Sequence, residues 1–147
     1  ISFGDITATT ISKEARITLT QSNDINEQII KLTHELTNRI TNPNAINAYS
    51  QVERGIITTS EYAILIAQNE KNGTVNQIKV AAEIGYRFKD NMTINQLIED
   101  YKSDNRINLF KRLLVSQDHF EEYKADGKKA RQNYLKLNSG KKNESNI

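Results

Sequence analysis

The chain has 147 residues, of which 37% are hydrophobic and 26% charged, and its formal net charge at pH 7 is +2. This size and composition fit one domain with a modest core. The absence of cysteine excludes disulfides, thiolate zinc sites and a cysteine nucleophile. No apolar run approaches the roughly 20 residues that cross a bilayer, so we expect a soluble protein without a membrane span.

Charge is distributed unevenly along the sequence. Residues 124–147 carry seven basic and two acidic side chains, which leaves residues 1–123 with a net charge of −3. From residue 138 the composition is mainly Asn, Ser, Gly and Lys, which favours disorder. We predict a folded domain over 1–126 and a basic, disordered tail over 127–147. The tail either contacts phosphates or an acidic partner, or serves only as a solubilising terminus.

The N-terminal residues predict β-structure. Residues 5–11 and 15–20 are rich in Thr and Ile and are joined by a short link. Ile17 and Leu19 alternate with polar residues in the second segment. This pattern is typical of a β-hairpin or of two neighbouring strands.

A long amphipathic helix follows. Asp24 is a good N-cap, and Glu27 three residues later completes a capping-box pattern, so we predict a helix over 25–40. Asn42-Pro43-Asn44 is expected to end it. Its large apolar residues share one stripe at 100° per residue, which predicts the face toward the core. They are Ile25, Ile29, Leu32, Leu36 and Ile40.

Shorter helices are predicted in the rest of the chain. They cover 45–54, 60–71, 74–84, 93–102 and one or two segments of 105–124. Gly55, Asn72-Gly73 and Gly85 are expected to separate the first four of these helices from one another. With the N-terminal strands, these elements predict an α+β fold: a helix-rich single domain with a small β-hairpin or sheet packed on several helices.

One sequence pattern carries a chemical hypothesis. His34 and Glu35 begin the segment His-Glu-Leu-Thr-Asn, in which Asn38 shares a helix face with His34. In a His-Glu-x-x-His helix, two imidazoles bind a zinc ion and the glutamate acts as general base. A third ligand often comes from a later helix, and Glu61 opens the next long apolar one.

In these segments the chain resembles the zincin-type metallopeptidases, particularly small bacterial toxin and effector members. The resemblance covers about a third of the chain. It implies that His34 is the first ligand of a divalent metal, zinc, that Glu35 is the general base and that Glu61 is the third ligand. Asn38 stands where the second histidine belongs, and its neutral oxygen suits harder cations. His34 as an ordinary hydrogen-bonded histidine, and Glu61 as a residue favoured by its helix dipole, are the alternatives.

Two other functions fit the sequence. A metal-independent ribonuclease acting on RNA or tRNA needs a base and phosphate-binding cations. Its candidates are His34, His119, Arg39, Arg54, Arg87, Arg106 and Arg112. A non-enzymatic protein-binding module is the other alternative, in which a zincin-like framework is inactive or the resemblance is accidental.

The sequence starts at Ile1 without an initiator Met. With the missing cysteine and the zincin-like pattern, this predicts a toxin or effector domain from the end of a larger exported bacterial protein. We expect such a domain to be a hydrolase, secreted or delivered into a target cell. An immunity protein or a host protein is the expected partner.

Overall fold

The computed structural model describes residues 2–4, 9–11, 16–22, 24–103 and 108–144. The elements within these residues are β1 (Ser2–Gly4), β2 (Thr9–Ile11), β3 (Arg16–Thr20), α1 (Ile25–Glu53), α2 (Thr59–Ile84), α3 (Met92–Lys102), α4 (Leu109–Arg112) and α5 (Gln117–Glu144). They belong to two compact units. The first lies within residues 1–42 and 70–114, and the second within 43–69 and 115–147.

The fold is all-α, so the α+β class predicted from the sequence is wrong. Helices α1, α2 and α5 have 29, 26 and 28 residues. The strands have only three to five residues each. In the described part of the chain, neither hydrophobic cluster includes a strand residue. The buried residues of both clusters come from helices or, for Leu113, from a helix C-cap, as in an all-α fold.

The short strands pair through their backbones in the order β1–β3–β2. Strand β1 is parallel to β3, and β2 is antiparallel to it. Residues 5–8 and 12–15 of the predicted strand region lie outside the described residues. Among the strand side chains, the structure describes Leu19, which is buried.

Helix α1 begins as predicted but is much longer. The Asp24 carboxylate accepts a hydrogen bond from the Asn26 amide at 2.9 Å, as an N-cap should. The helix then continues through Pro43, where the sequence predicted its end. A proline inside a helix removes one backbone hydrogen bond. Helix α1 tolerates this loss because residues on each side of Pro43 are packed within a compact unit of their own.

The predicted core face of α1 is also wrong. We name the five apolar residues of that face the outer stripe: Ile25, Ile29, Leu32, Leu36 and Ile40. Four of them are exposed, by 70% for Ile25, 39% for Ile29, 45% for Leu36 and 79% for Ile40, and Leu32 is half-buried. Residues elsewhere on the helix are buried instead, including Ile30, Thr37 and Glu35. Helix α1 thus turns part of its polar surface inward and its longest apolar row outward.

Helix α2 is one helix rather than two. It runs through Asn72-Gly73, which the sequence predicted as a break. Its N-cap is Thr58, whose hydroxyl accepts from the Glu61 amide at 3.1 Å. The helix ends at Gly85 as predicted. Gly85 has a φ of 70°, and the Tyr86 amide bonds back to the Ala81 carbonyl at 2.8 Å.

The core of the first unit is built around the later part of α2. Its buried members are Ile30, Ile78, Ala81, Leu97, Ile98, Leu109 and Leu113. Asn95 of α3 is buried beside this cluster, and its side chain bonds both the amide and the carbonyl of Phe88, at 2.7 and 2.6 Å. This pairing holds the segment after α2 against α3.

The second unit has a smaller core made by α1, α2 and α5. Ala48, Val52, Tyr62 and Ala130 are its buried members. Gly55 ends α1 as predicted, with a φ of 72° and the Ile56 amide bonded to the Gln51 carbonyl at 2.9 Å. No helix in the described part of the chain has the length and apolarity that a membrane crossing requires.

Helix α5 occupies the region where the sequence predicted a disordered tail after residue 126. It runs from Gln117 to Glu144 and passes through residue 126, and the division into a domain over 1–126 and a tail over 127–147 stays a prediction. Polar residues in this helix bond to their own backbone. The Asn138 side chain donates to the Tyr134 carbonyl at 2.8 Å, and Ser139 donates to the Lys136 carbonyl at 2.9 Å. Composition alone does not reveal such local bonds.

Candidate functional site

Four polar side chains of the first unit meet where α1 and α2 face each other. The His34 Nε2 donates to the Glu70 carboxylate at 3.3 Å, and the Asn38 amide nitrogen donates to the other Glu70 oxygen at 3.5 Å. One turn away, Asn76 of α2 donates to the Thr37 hydroxyl at 2.9 Å. We name His34, Asn38, Glu70 and Gln77 the imidazole cluster. Gln77 is included because a hydrogen bond between its side chain and the imidazole helps to raise the pKa of His34.

Gly73 makes this close approach possible. A Cβ atom at position 73 would lie 2.8 Å from the Asn38 Oδ1 and 2.8 Å from both Cε1 and Nδ1 of His34. A Cβ atom essentially never lies this close to another heavy atom, so any side chain here would displace both groups. Gly73, where the sequence predicts a helix break, therefore leaves the space that the His34 imidazole and the Asn38 amide occupy.

Two atoms of the cluster are buried without a hydrogen bond to the described residues. They are the His34 Nδ1 and the Asn38 Oδ1, the atoms that face Gly73. An unsatisfied buried polar atom costs about 1–3 kcal/mol. Apolar side chains of the same shape would avoid this cost, so the cluster is not an optimal packing solution.

The ring of His34 is partly open on the side of Glu70. The side chains of His34 and Glu70 are 17% and 43% exposed, whereas the Nδ1 atom is buried. Burial lowers the pKa of His34, but the hydrogen bond and the charge of Glu70 raise it more, and Glu35 and Gln77 add to the rise. The net pKa of His34 is raised above its usual value, which favours an imidazolium–carboxylate pair.

The structure brings together only some of the residues predicted for the site. His34 and Asn38 meet as the helix spacing implied. Glu35, predicted as the general base, is 4% exposed and lies outside the outer stripe and beside the cluster. Its carboxylate contributes to the field on the imidazole. Glu35 is therefore part of the buried polar surface of α1, not an open base in a cleft.

Glu61, predicted as the third metal ligand, has a different role in the second unit. Its carboxylate accepts from the Thr58 amide at 2.7 Å, and its own amide donates to the Thr58 hydroxyl. This reciprocal pair is a capping box at the start of α2. The backbone hydrogen bond from Thr58 lowers the pKa of Glu61, in the direction expected of an engaged carboxylate.

Glu70, Gly73 and Gln77 were missed by sequence reasoning. Positions 70, 73 and 77 share a helix face, but only if α2 is continuous through Asn72-Gly73. The signal in the sequence is a spacing of three and four residues between a glutamate, a glycine and a glutamine. It was hidden because Asn-Gly is usually a turn sequence.

A zinc site does not fit these residues. In the described part of the chain, no three His, Asp or Glu side chains are grouped to hold a metal ion. The cluster offers one imidazole, one carboxylate and one neutral amide, whereas zinc prefers several nitrogen, thiolate or carboxylate ligands. Moreover, the His34 Nε2 and the Glu70 oxygen that would bind a metal are bonded to each other.

The residues of the nuclease hypothesis are spread over both units. His119 lies in the second unit, is exposed and stacks on Tyr123 with ring centroids 6.5 Å apart. Arg112 lies in the first unit and pairs with Asp100 at 3.0 Å. Arg106 lies outside the described residues. For the described residues of each unit, none of the ion pairs or ring contacts joins a histidine to an arginine.

No protein family model, curated protein or solved structure was found to match the chain. The zincin resemblance stays a prediction.

Proposed function

We propose that this chain is a protein-binding module whose outer stripe on α1 receives an amphipathic helix of a partner protein. The observation that carries the proposal is the exposure of four large aliphatic side chains in one row of a helix. Soluble proteins seldom leave such a row uncovered, and contiguous exposed apolar patches mark interaction sites.

The spacing of the outer stripe supports a helical partner. Its members follow one another at intervals of four, three, four and four residues. Intervals of three and four place apolar groups along one seam, which is the arrangement that a second helix can fill with its own apolar row. The residues beside the seam include the uncharged Gln28 and Thr33 and the half-buried Arg39, so the apolar row itself is the main feature that a partner helix can bind.

The proposal is tested with a display library of single helices that carry apolar residues at three- and four-residue intervals. We expect selected helices to bind the chain, and the double variant Leu36→Glu/Ile40→Glu to weaken that binding at least tenfold, since each lost apolar contact is worth about 1.5–3 kcal/mol. Helices that bind wild type and this variant equally would refute the proposal.

The matched control is Met92→Glu/Thr93→Glu. It adds the same charge to exposed positions of the same unit, but in the first turn of α3 and not on α1. We expect this variant to bind like wild type. Equal losses in both variants would indicate a charge effect and would contradict a specific role of the outer stripe.

A catalytic toxin or effector domain is the second candidate, and the imidazole cluster is the observation that favours it. A half-buried imidazole paired with a carboxylate is an arrangement that general acid–base catalysis uses. Support would come from impaired bacterial growth on expression of the chain, relieved by His34→Gln while the circular dichroism spectrum stays unchanged. Growth equal to that with an empty vector would count against this function.

A further inference from the structure

We propose that helix α5 binds the phosphate backbone of double-stranded nucleic acid through its exposed lysines, a function separate from the helix binding assigned to α1. Over residues 127–143 the helix has no Asp or Glu. The side chains that carry the proposal are Lys128, Lys129, Lys136 and Lys141, which are all exposed.

These four lysines are not neutralised by the protein itself. In the part of the chain that the structure describes, none of them forms an ion pair with a carboxylate. By contrast, Lys124 of the same helix pairs with Glu121 at 3.3 Å. Helix α5 is thus divided into an acidic first part, residues 117–126, with four carboxylates and one lysine, and a later part with uncompensated positive charge.

The fold leaves this later part accessible. Gly127 and Ala130 are the α5 residues buried in the second unit, and Tyr134 and Asn138 are half-buried on the same side of the helix. Lys128, Lys129 and Lys136 lie away from that side, whereas Lys141 continues it beyond Asn138 but is itself exposed. Arg131 is excluded from the set, because its guanidinium occupies the space beside Gly55.

The length of the basic segment suits a duplex. From Lys128 to Lys141 a helix rises about 20 Å. Double-stranded DNA presents about one negative charge per 1.7 Å of its axis, so this segment can neutralise several phosphates at once. Lysines act as point charges on phosphates and do not read bases, and the expected binding is therefore independent of sequence.

A membrane surface is a poorer match for α5. Helices that lie on membranes concentrate their apolar residues on one face opposite the lysines. The exposed Leu135 and Leu137 are two residues apart and point in nearly opposite directions around the helix. An acidic protein would also attract lysines, but exposed cations spread along a helix, with no apolar row among them, suit a uniform polyanion better.

The test measures fluorescence anisotropy of labelled 20-base-pair RNA and DNA duplexes with the full chain. If four lysines each displace a counterion, affinity falls about 100-fold between 50 and 200 mM salt. RNA and DNA are expected to bind within about threefold of each other, because the backbone is the shared ligand. A slope of log affinity against log salt concentration that corresponds to fewer than one phosphate contact would overturn the proposal.

The decisive variant is Lys128→Gln/Lys129→Gln/Lys136→Gln/Lys141→Gln. We expect it to keep its helix content and to lose at least tenfold in duplex affinity at 50 mM salt, with the salt dependence nearly abolished. Its matched control, Lys79→Gln/Lys89→Gln/Lys102→Gln/Lys111→Gln, removes the same charge from exposed lysines of the first unit. Equal losses in both variants would show an effect of net charge and overturn the assignment to α5.

Two further ligands complete the experiment. Polyglutamate of matched charge and vesicles with anionic lipid are expected to bind at least tenfold more weakly than the duplexes. Binding to either ligand as tight as to the duplexes would overturn the choice of nucleic acid. Because this assay does not involve the outer stripe, its failure and the failure of the helix-binding proposal are distinguishable.

Discussion

Both units contain a close contact between a helical glycine and a ring from another helix, but the two rings differ in polarity. In each, a helical glycine lies directly under a ring from another helix: Gly127 under Tyr62 in the second unit, and Gly73 under His34 in the first. The ring over Gly127 belongs to an apolar cluster with Val52 and Ala130. The ring over Gly73 is an imidazole beside an amide and a carboxylate.

The polarity of the ring decides whether such a contact serves packing alone or also holds polar groups. An apolar ring over glycine gains stability from burial alone. A polar ring in the same position leaves two atoms without hydrogen bonds and holds a pair of opposite charges at a half-buried position. Because stability does not require the second arrangement, the imidazole cluster is the better candidate for a chemical role.

The largest expected effect comes from filling the two glycine positions. Gly73→Val and Gly127→Val should each lower the free energy of unfolding by about 2 kcal/mol, since both Cβ atoms would overlap a ring. Urea denaturation measures the change. Gly140→Val is the control, because its Cβ meets no atom within 4 Å, and a change within about 0.5 kcal/mol is expected.

A second substitution sharpens this comparison. In Gly73→Val/His34→Ala, removal of the imidazole makes room for the new side chain, so the combined loss should be smaller than the sum of the single losses. Strict additivity in a double-mutant cycle would show that the ring does not rest on Gly73. It would remove the steric parallel between the units.

A change of intermediate size in the free energy of unfolding is expected from the helix cap that Glu61 forms with Thr58. Thr58→Ala removes the N-cap hydroxyl of α2 and should lower the free energy of unfolding by about 1 kcal/mol. Thr59→Ala, one residue along, is the control and should cost less than half as much. Equal effects on thermal unfolding would contradict the capping role that replaces the predicted metal ligand.

The smallest effect is a dependence on pH. The raised pKa of His34 means that folding favours the imidazolium. Its contribution to stability is fully present below about pH 6.5, the usual pKa of histidine, and is lost as the pH rises through the raised folded value. In Glu70→Gln, the charge of Glu70 is lost while burial remains, so the pKa of His34 should be lower than in wild type and this pH dependence should weaken.

Nuclear magnetic resonance titration of the His34 ring measures this change, with His119→Asn used to assign the two histidine signals. Glu61→Gln is the matched control, because Glu61 is engaged with Thr58 and should leave the His34 titration unchanged. An identical His34 titration in wild type and Glu70→Gln would show that the pair seen here does not persist in solution.

Local signals in the sequence predicted the ends of several elements correctly. The Asp24 cap and the stops at Gly55 and Gly85 depend on side chains and backbone angles within a few residues of each other. Such features are specified locally. The shared face of His34 and Asn38 was equally predictable from helix spacing.

Signals that depend on distant residues misled the sequence reading. Pro43 and Asn72-Gly73 are usual breaks, yet packing in both units carries α1 and α2 through them. The outer stripe shows the same limit. Periodicity reveals that apolar residues share a face, but not whether that face is turned toward the core.

The sequence by itself determined helix caps, helix ends, the absence of cysteine chemistry and the pairing of His34 with Asn38 on one face. Tertiary structure alone decided that Glu70 rather than Glu61 meets His34, that Gly73 is a contact surface, and that Leu36 and Ile40 point outward. The physical reason is range: caps and turns are settled by neighbours along the chain, whereas burial and side-chain pairing depend on residues that only folding brings together.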